Sequence, residues 1–565
     1  GVAKYKGGFD VPKPYTPVGI EAFRTTDDTC KNNFATLNPL DEADMPVSNG
    51  NLAIDQSSGG WHTLLGTQYV SSGKWYAEMR MDRLGWIMFG VDQTWLETNS
   101  KHIGGQTGSK GMAVVYNTGS RGDITYNGAN SVYTGGDTTA ATGDIISIAL
   151  DLDNNNVKFF KNNVQQYNLD NLLESGEQYS IGASPYSNVA ITINFGQNPT
   201  FSGALTAGTN ADDSGKGLFK YAPPSGFLAL CEDNLPAPAI ADPGKHFKTV
   251  LWSGDGNSGR NITGVGFKPD LVWIKRRDGA DVRHYLFDLI RGPLKGLDPS
   301  DGIAEVEGST WLQSFDSNGF SLGSSGGLNG SGNNYVAWCW KAGGPAVTNT
   351  EGNITTQVSA NPEAGFSIIR SPGPGTSGHG LNSTPKFIIQ KSVGTGNWNV
   401  AHADLYASGG TGKILLNLNG GVVASSTTYM HEATATTFDP LFSADQMAYV
   451  WAEVENFSKF GSYIGNENAD GSFIYCGFKP AFVITKRIDG NGNWLIHDSS
   501  RDPVNPVMGA LYANEPDPEG SAVRVDFVSN GFKHRNADGG TANNYANNYI
   551  FAAFAESPFQ TANAK

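Results

Sequence analysis

Cysteine is scarce, apolar runs are short and positive charge is in deficit. Four cysteines, Cys30, Cys231, Cys339 and Cys476, are spread over 565 residues. They form no CxxC pair and no Cys/His spacing of a zinc site, so buried free thiols are expected. No stretch approaches 18 consecutive apolar residues, and no charged segment precedes an apolar one at the N-terminus, so neither membrane insertion nor a secretion signal is expected. Lys and Arg number 39 against 54 Asp and Glu, a net charge of -15. That balance argues against an electrostatic grip on nucleic acid or anionic lipid. The densest basic clusters, Lys275-Arg276-Arg277 and Lys486-Arg487, each precede an Asp-Gly turn and read as solvated turns. Strings of the GxSxG and HExxH type are missing, and no helix longer than about two turns stands out, the best candidate being residues 169–175.

What is abundant is turn chemistry. Gly accounts for 72 residues and Asn, Ser and Thr crowd the gaps between short apolar runs, while 39% hydrophobic residues suffice for buried cores. Alternation is plain in Ile145, Ser147 and Ala149 and in Val189, Ile191 and Ile193. The pattern predicts an all-β chain, with an antiparallel sandwich over 30–201. Ahead of it, Pro12, Pro14 and Pro17 predict an extended arm over 1–29 that attaches to a neighbour. Residues 202–246 read as a connector.

The sandwich region resembles the SPRY domains of the concanavalin A-like superfamily. Gly73-Lys74-Trp75-Tyr76-Ala77-Glu78, the run from Gly143-Asp144 through Asp151-Leu152-Asp153 to Val157-Lys158-Phe159, and Ile193-Asn194-Phe195-Gly196 carry the resemblance, in order. It implies a binding scaffold without catalytic machinery.

The second half repeats itself. GVGFKPDLVWIKRRDG (264–279), LNSTPKFIIQKSVGTG (381–396) and YCGFKPAFVITKRIDG (475–490) each place a Lys six residues after a Pro. An apolar strand ending near a carboxylate follows each, at Asp288, Asp404 and Asp498, with His402 and His497 beside the last two. The blocks close on Tyr335-Val336-Ala337-Trp338, Tyr449-Val450-Trp451-Ala452 and Tyr549-Ile550-Phe551-Ala552, matched on the tyrosine. A period of about 95–115 residues suits small domains better than a solenoid. Three tandem, autonomous β-sandwich-like domains are therefore expected at 247–342, 365–457 and 458–565, with a linker over 343–364.

Several motifs weigh lightly. Gly254–Gly259 and Gly373–Gly378 both satisfy GxGxxG, but each leads into a strand and not a helix, so hairpin turns are expected and no cofactor. Asp151 and Asp153 lack the Gly and distal Glu of an EF-hand, so no metal is expected. Because the carboxylate recurs in every block, it reads as a turn-amide acceptor and not as half of a glycosidase pair. Trp494 and the apparent insertion Asn543-Asn544-Tyr545 offer an aromatic face and planar amides, and are the candidate ligand-binding residues.

The repeats resemble a domain of unassigned function in tail-fibre and other virion proteins of marine bacteriophages, on the GFKP…K…D and SNGF…NNYI strings. The middle copy lacks both GFKP and SNGF. The resemblance implies a homotrimeric virion appendage, made in the host cytoplasm, that binds a host-surface glycan or protein and meets other virion subunits through its arm. The alternatives are a polysaccharide-degrading enzyme on a concanavalin A-like scaffold and a bacterial surface adhesin.

Overall fold

The computed structural model describes residues 32–559, apart from 42–44, 94–101, 106–109, 117–122, 134–139, 280–281, 408–411, 425–432, 441, 443, 537–541 and 545. The expected arm and Tyr545 lie outside the described residues. Those residues fall into two compact units, one built from positions up to Leu235 and one dominated by Pro236 onward. Both are β, as expected; among the described residues the α-helical segments are single turns at Gly326–Asn329 and Asp404–Ala407. Residues 169–175 are not helical, because strand Val164–Asp170 runs into them.

In the first unit an eight-stranded sheet and a six-stranded sheet pack face to face. Strand Lys74–Arg83 lies between Val189–Asn194 and Ile145–Asp151 in the larger sheet. Its alternate residues Trp75, Ala77, Met79 and Met81 face Ile87, Phe89, Val91, Met112 and Val114 in one dry core. On the opposite face, Tyr76 and Ala149 are covered by Phe219, Phe227 and Ala229. The segment expected as a connector is thus part of this unit up to Leu235. Leu228–Ala229 pairs with the central strand, and the buried Glu78 carboxylate accepts the Lys220 and Tyr221 amides at 2.9 and 2.8 Å. Burial lifts the Glu78 carboxyl to about 7 despite those two amides.

In the second unit the three sequence blocks have one topology. An opening strand (Phe247–Ser253, Phe366–Ser371, Ser458–Ile464) pairs with a closing strand (Asn334–Trp340, Gln446–Ala452, Asn548–Pro558). The closing strand pairs with the strand that carries the recurring lysine (Leu271–Arg276, Pro385–Ser392, Phe478–Arg487). A fourth strand follows (Tyr285–Asp288, Asn399–His402, Leu495–Asp498). Each block adds a small second sheet, made in the first block by Arg260–Thr263, Leu312–Asp316 and Gly319–Leu322. The expected linker 343–364 also belongs to a sheet: Val347–Asn349 and Thr356–Asn361 extend the second block's large sheet beyond its opening strand.

The blocks are sandwich-like, but they are not autonomous. In the first block Val272, Ile274, Tyr335, Ala337 and Cys339 face the block's own small sheet. The alternating residues Leu271, Trp273, Val336, Trp338 and Trp340 face the other way, into a core shared with Phe387, Ile389, Tyr449 and Trp451 of the second block and Phe482, Ile484 and Phe554 of the third. Each large sheet is buried on both faces, which is why its strands read as continuous apolar runs. A gap of about 20 Å³ lined only by apolar side chains remains where the three blocks meet. A void of that size and lining is a packing defect and not a ligand pocket.

Candidate functional site

Sheet register aligns the three copies without ambiguity. Trp273 pairs with Trp338, Ile389 with Tyr449 and Ile484 with Ala552, so these closing-strand positions are equivalent. The tyrosine match expected from sequence is displaced in the middle block, where Gln446 and not Tyr449 occupies the place of Tyr335 and Tyr549. On the fourth strand, Leu271 pairs with Asp288, Phe387 with His402 and Phe482 with Asp498. The recurring position is therefore Asp, His, Asp, and Asp404 is not part of it.

Those three residues cross-link neighbouring blocks in a cycle. Tyr449 of the second block donates its hydroxyl to Asp288 of the first at 2.8 Å, and Trp338 of the first donates its indole to Asp498 of the third at 3.0 Å. His402 of the second donates through Nε2 to the Phe551 carbonyl of the third at 3.1 Å. There the third block's equivalent closing-strand residue is Ala552, which has no donor to offer. Where the acceptor is Asp, a fully buried arginine three residues on, Arg291 or Arg501, completes an ion pair and donates its own amide to the carboxylate. In the middle block, where His402 donates instead, the place of the arginine is held by the buried Leu405. The turn-amide role expected for Asp288 and Asp498 holds, joined by a cation and by a donor from the next block.

A second cycle lies one residue before the fourth strand. His284 donates through Nε2 to the Tyr512 carbonyl, its Nδ1 accepting the Trp273 indole. Trp398 donates to the Asp298 and Asp301 carbonyls, and Trp494 to the Leu415 carbonyl at 2.9 Å. Trp494, a candidate binding residue, is 1% exposed and spent on this bond, so it presents no face to a ligand. Asn543 is fully buried: its amide donates to Asn466, Asn468 and Asn536, just as Asn329 donates to Asp255 and Asn257 in the first block. It is the counterpart of Asn329, not an insertion. The half-buried Asn544 gives its backbone amide to the Tyr549 hydroxyl, as Gly330 does to Tyr335.

The recurring lysines are buried too. Lys275, Lys391 and Lys486 donate to backbone carbonyls, Lys275 reaching Pro516 and Lys486 reaching Asn419 in adjoining blocks. Desolvation holds their pKa values down, to about 8, 8 and 7. The basic clusters are accordingly not solvated turns: besides these lysines, Arg276 pairs with Asp278, Arg277 with Glu519 and Arg487 with Asp489. Cys339 and Cys476 are buried, and burial pushes both thiols up. Gly254–Gly259 forms a turn in which Asp255 caps the Asn257 amide and holds Arg260. Asp151 is engaged by Asn154 and Lys74, and Asp153 by the Gly73 amide.

The histidines make the unit acid-sensitive. His497 is buried beside Arg501, and desolvation first, then that cation, lowers its pKa to about 4. Its neighbour His534 falls to about 3. A histidine with a depressed folded pKa binds its proton more readily in the unfolded chain, so stability falls as pH drops below about 6.5. For His497 alone the loss between pH 7 and pH 5 is about 2 kcal/mol. Urea titrations at the two pH values should show a pH slope shallower by that amount in His497→Gln; an unchanged slope contradicts the assignment.

One cluster that sequence reasoning missed faces solvent. In the first unit Trp86 and Tyr186 are 41% and 37% exposed, and Trp61 and His102 are half-buried. Trp61 lies 4.7 Å from His102 and 5.0 Å from Tyr186 between ring centroids, and Trp86 lies 6.0 Å from Tyr186. The scaffold beneath is fixed. A Cβ on Gly85 would stand 2.3 Å from the Asn188 carbonyl oxygen, so only glycine lets Trp86 begin its strand against the bend that follows Tyr186's strand, Tyr179–Ser187. The Gln56 amide donates to the Tyr186 carbonyl at 2.8 Å, and Arg83, paired with Asp55, donates to the Gln56 carbonyl at 3.4 Å. No linear motif marks this group, whose members come from four separate segments.

No curated protein matches the chain. Among solved structures it is similar to the SPRY domain of human HERC1, at 19% identity over 28% of this chain and 96% of that one, with a TM-score of 0.23. It is also similar to the PSpry domain of TRIM65, at 14% over 28% and 89% with a TM-score of 0.24, and to stonustoxin, at 12% over 28% and 28% with a TM-score of 0.23. The family described as a domain of unknown function, DUF7483, matches residues 242–558, more than half of the chain and the span of the three interlocked blocks, and the chain belongs to that family.

Proposed function

We propose that this chain is a bacteriophage structural protein, a tail fibre or related appendage of the virion, that attaches to the host surface by binding and without catalysis. The observation that carries this is the fate of the recurring polar residues. Asp288, His402 and Asp498, where repeated catalytic chemistry would have to sit, are fully buried and occupied in bonds between blocks. Chemistry of that kind makes a rigid body. The net charge of -15 fits a partner other than nucleic acid. In this reading residues 1–29 join the chain to other virion subunits and the assembly is a trimer, which multiplies weak receptor contacts into avidity.

Proteomics and immunogold labelling of purified particles test the reading. The chain should be found on an appendage, the purified protein should block adsorption, and incubation with host envelope polysaccharide should release no oligosaccharide. Absence from the particle, or released oligosaccharide, overturns it.

A further inference from the structure

We infer that the exposed aromatic group of the first unit, Trp61, Trp86 and Tyr186 with His102, is a binding site for a neutral glycan. The inference rests on the attachment reading and assigns a ligand class to one place in the molecule. Large aromatic rings exposed together are costly to leave in water, and here three of them gather on a sandwich in which Trp75, Tyr116, Tyr179, Phe89, Phe159 and Phe195 are fully buried.

Size selects the occupant. A stable protein partner covers about 800 Å² per side, whereas three partly exposed rings supply only part of their roughly 150–250 Å² each. That is the footprint of one or two sugar rings. Geometry agrees with this. The Trp61 and Tyr186 planes are inclined at 47°, and those of Trp86 and Tyr186 at 57°, so the rings form an angled surface and not a closed stack. An apolar face of a pyranose packs on such a surface while its hydroxyls point outward to polar neighbours. Gln56, which holds the Tyr186 carbonyl, also accepts Arg83 on its own carbonyl, and through that link Arg83 and the exposed Asp55 offer a donor and an acceptor, with the His102 ring another polar edge. Burial lowers the His102 pKa, so the ring is neutral above the ordinary histidine range. Arg83 is already paired to Asp55 and so brings no unpaired positive charge, which favours a neutral sugar over a sulfated or carboxylated one.

The test uses the full chain and a panel of linear oligosaccharides of glucose, galactose and N-acetylglucosamine, with a sulfated oligosaccharide alongside. Binding is followed by saturation-transfer NMR and calorimetry for the native protein, Trp86→Ala and Tyr186→Ala. At least one neutral oligosaccharide should bind, with ring protons receiving saturation, and each variant should weaken it tenfold or more at an unchanged melting temperature. No neutral oligosaccharide bound, binding only to the sulfated probe, or affinities unchanged in both variants overturns the inference. Adsorption assays keep the two readings apart. Host-cell binding that survives Trp86→Ala removes this site and leaves attachment standing; glycan binding by a protein missing from the particle does the reverse.

Discussion

Replacing Arg501 by leucine should cost the second unit about 3–5 kcal/mol, even though leucine occupies the equivalent place in the middle block. Arg501 and Asp498 are both fully buried, and the carboxylate keeps only the Trp338 indole and two turn amides when the cation is gone. A buried charge stripped of its partner loses far more than a surface pair would. Leu405 is tolerated because the whole set differs there: His402 replaces the Asp, and Ala552 replaces the donor that would point at it. The double variant Asp498→His with Arg501→Leu removes both charges and should recover part of the loss. It should still fall about 1–3 kcal/mol short of the native protein. If the new ring takes the Ser500 amide on Nδ1, as His402 takes that of Asp404, its Nε2 proton faces the Trp338 N–H, donor against donor. Chemical denaturation followed by tryptophan fluorescence measures both. A single variant losing less than 1 kcal/mol, or a double variant as stable as native, contradicts this account.

Local pattern made part of the molecule legible and topology hid the rest. Strand alternation and turn residues mark an all-β chain, and the Pro-to-Lys spacing marks three equivalent strands, because both are set by neighbours in sequence. The shared core left a trace as well. Val336-Ala337-Trp338-Cys339-Trp340 has no polar alternation, which signals burial of both sheet faces, but the pattern cannot say what covers the second face. Matching tyrosine to tyrosine misplaced Tyr449, since hydrogen-bond register and not residue type decides equivalence. Asn543 looked inserted because the loop it closes differs in length from that of Asn329, although the amide does the same work in both. Leu218-Phe219 and Phe227-Leu228-Ala229-Leu230 are apolar runs too short to show a period between Gly, Ser and Pro, so nothing periodic showed that 202–235 covers a sheet. Trp61, Trp86, His102 and Tyr186 meet only because four segments end at one place.

If the three blocks share one core, a lesion in any of them must destabilise all. Trp338→Ala removes a fully buried indole from the centre and leaves Asp498 of the third block without its donor, for an expected loss of about 3–5 kcal/mol. The magnitude matters less than its distribution. Under native-state hydrogen exchange, the slowest amides of the closing strands Asn334–Trp340, Gln446–Ala452 and Asn548–Pro558 exchange through global opening of the unit. All three sets should therefore accelerate by the same factor in the variant, and heat should melt the blocks in one transition. Acceleration confined to the first block, with a separate melting step for it, would return the chain to three independent domains. A block expressed alone, such as 247–342, should fail to fold on the shared-core view. It keeps the inner cluster around Phe320 and Tyr335 but exposes Trp273, Trp338 and Trp340 together, an apolar face no single small domain leaves in water.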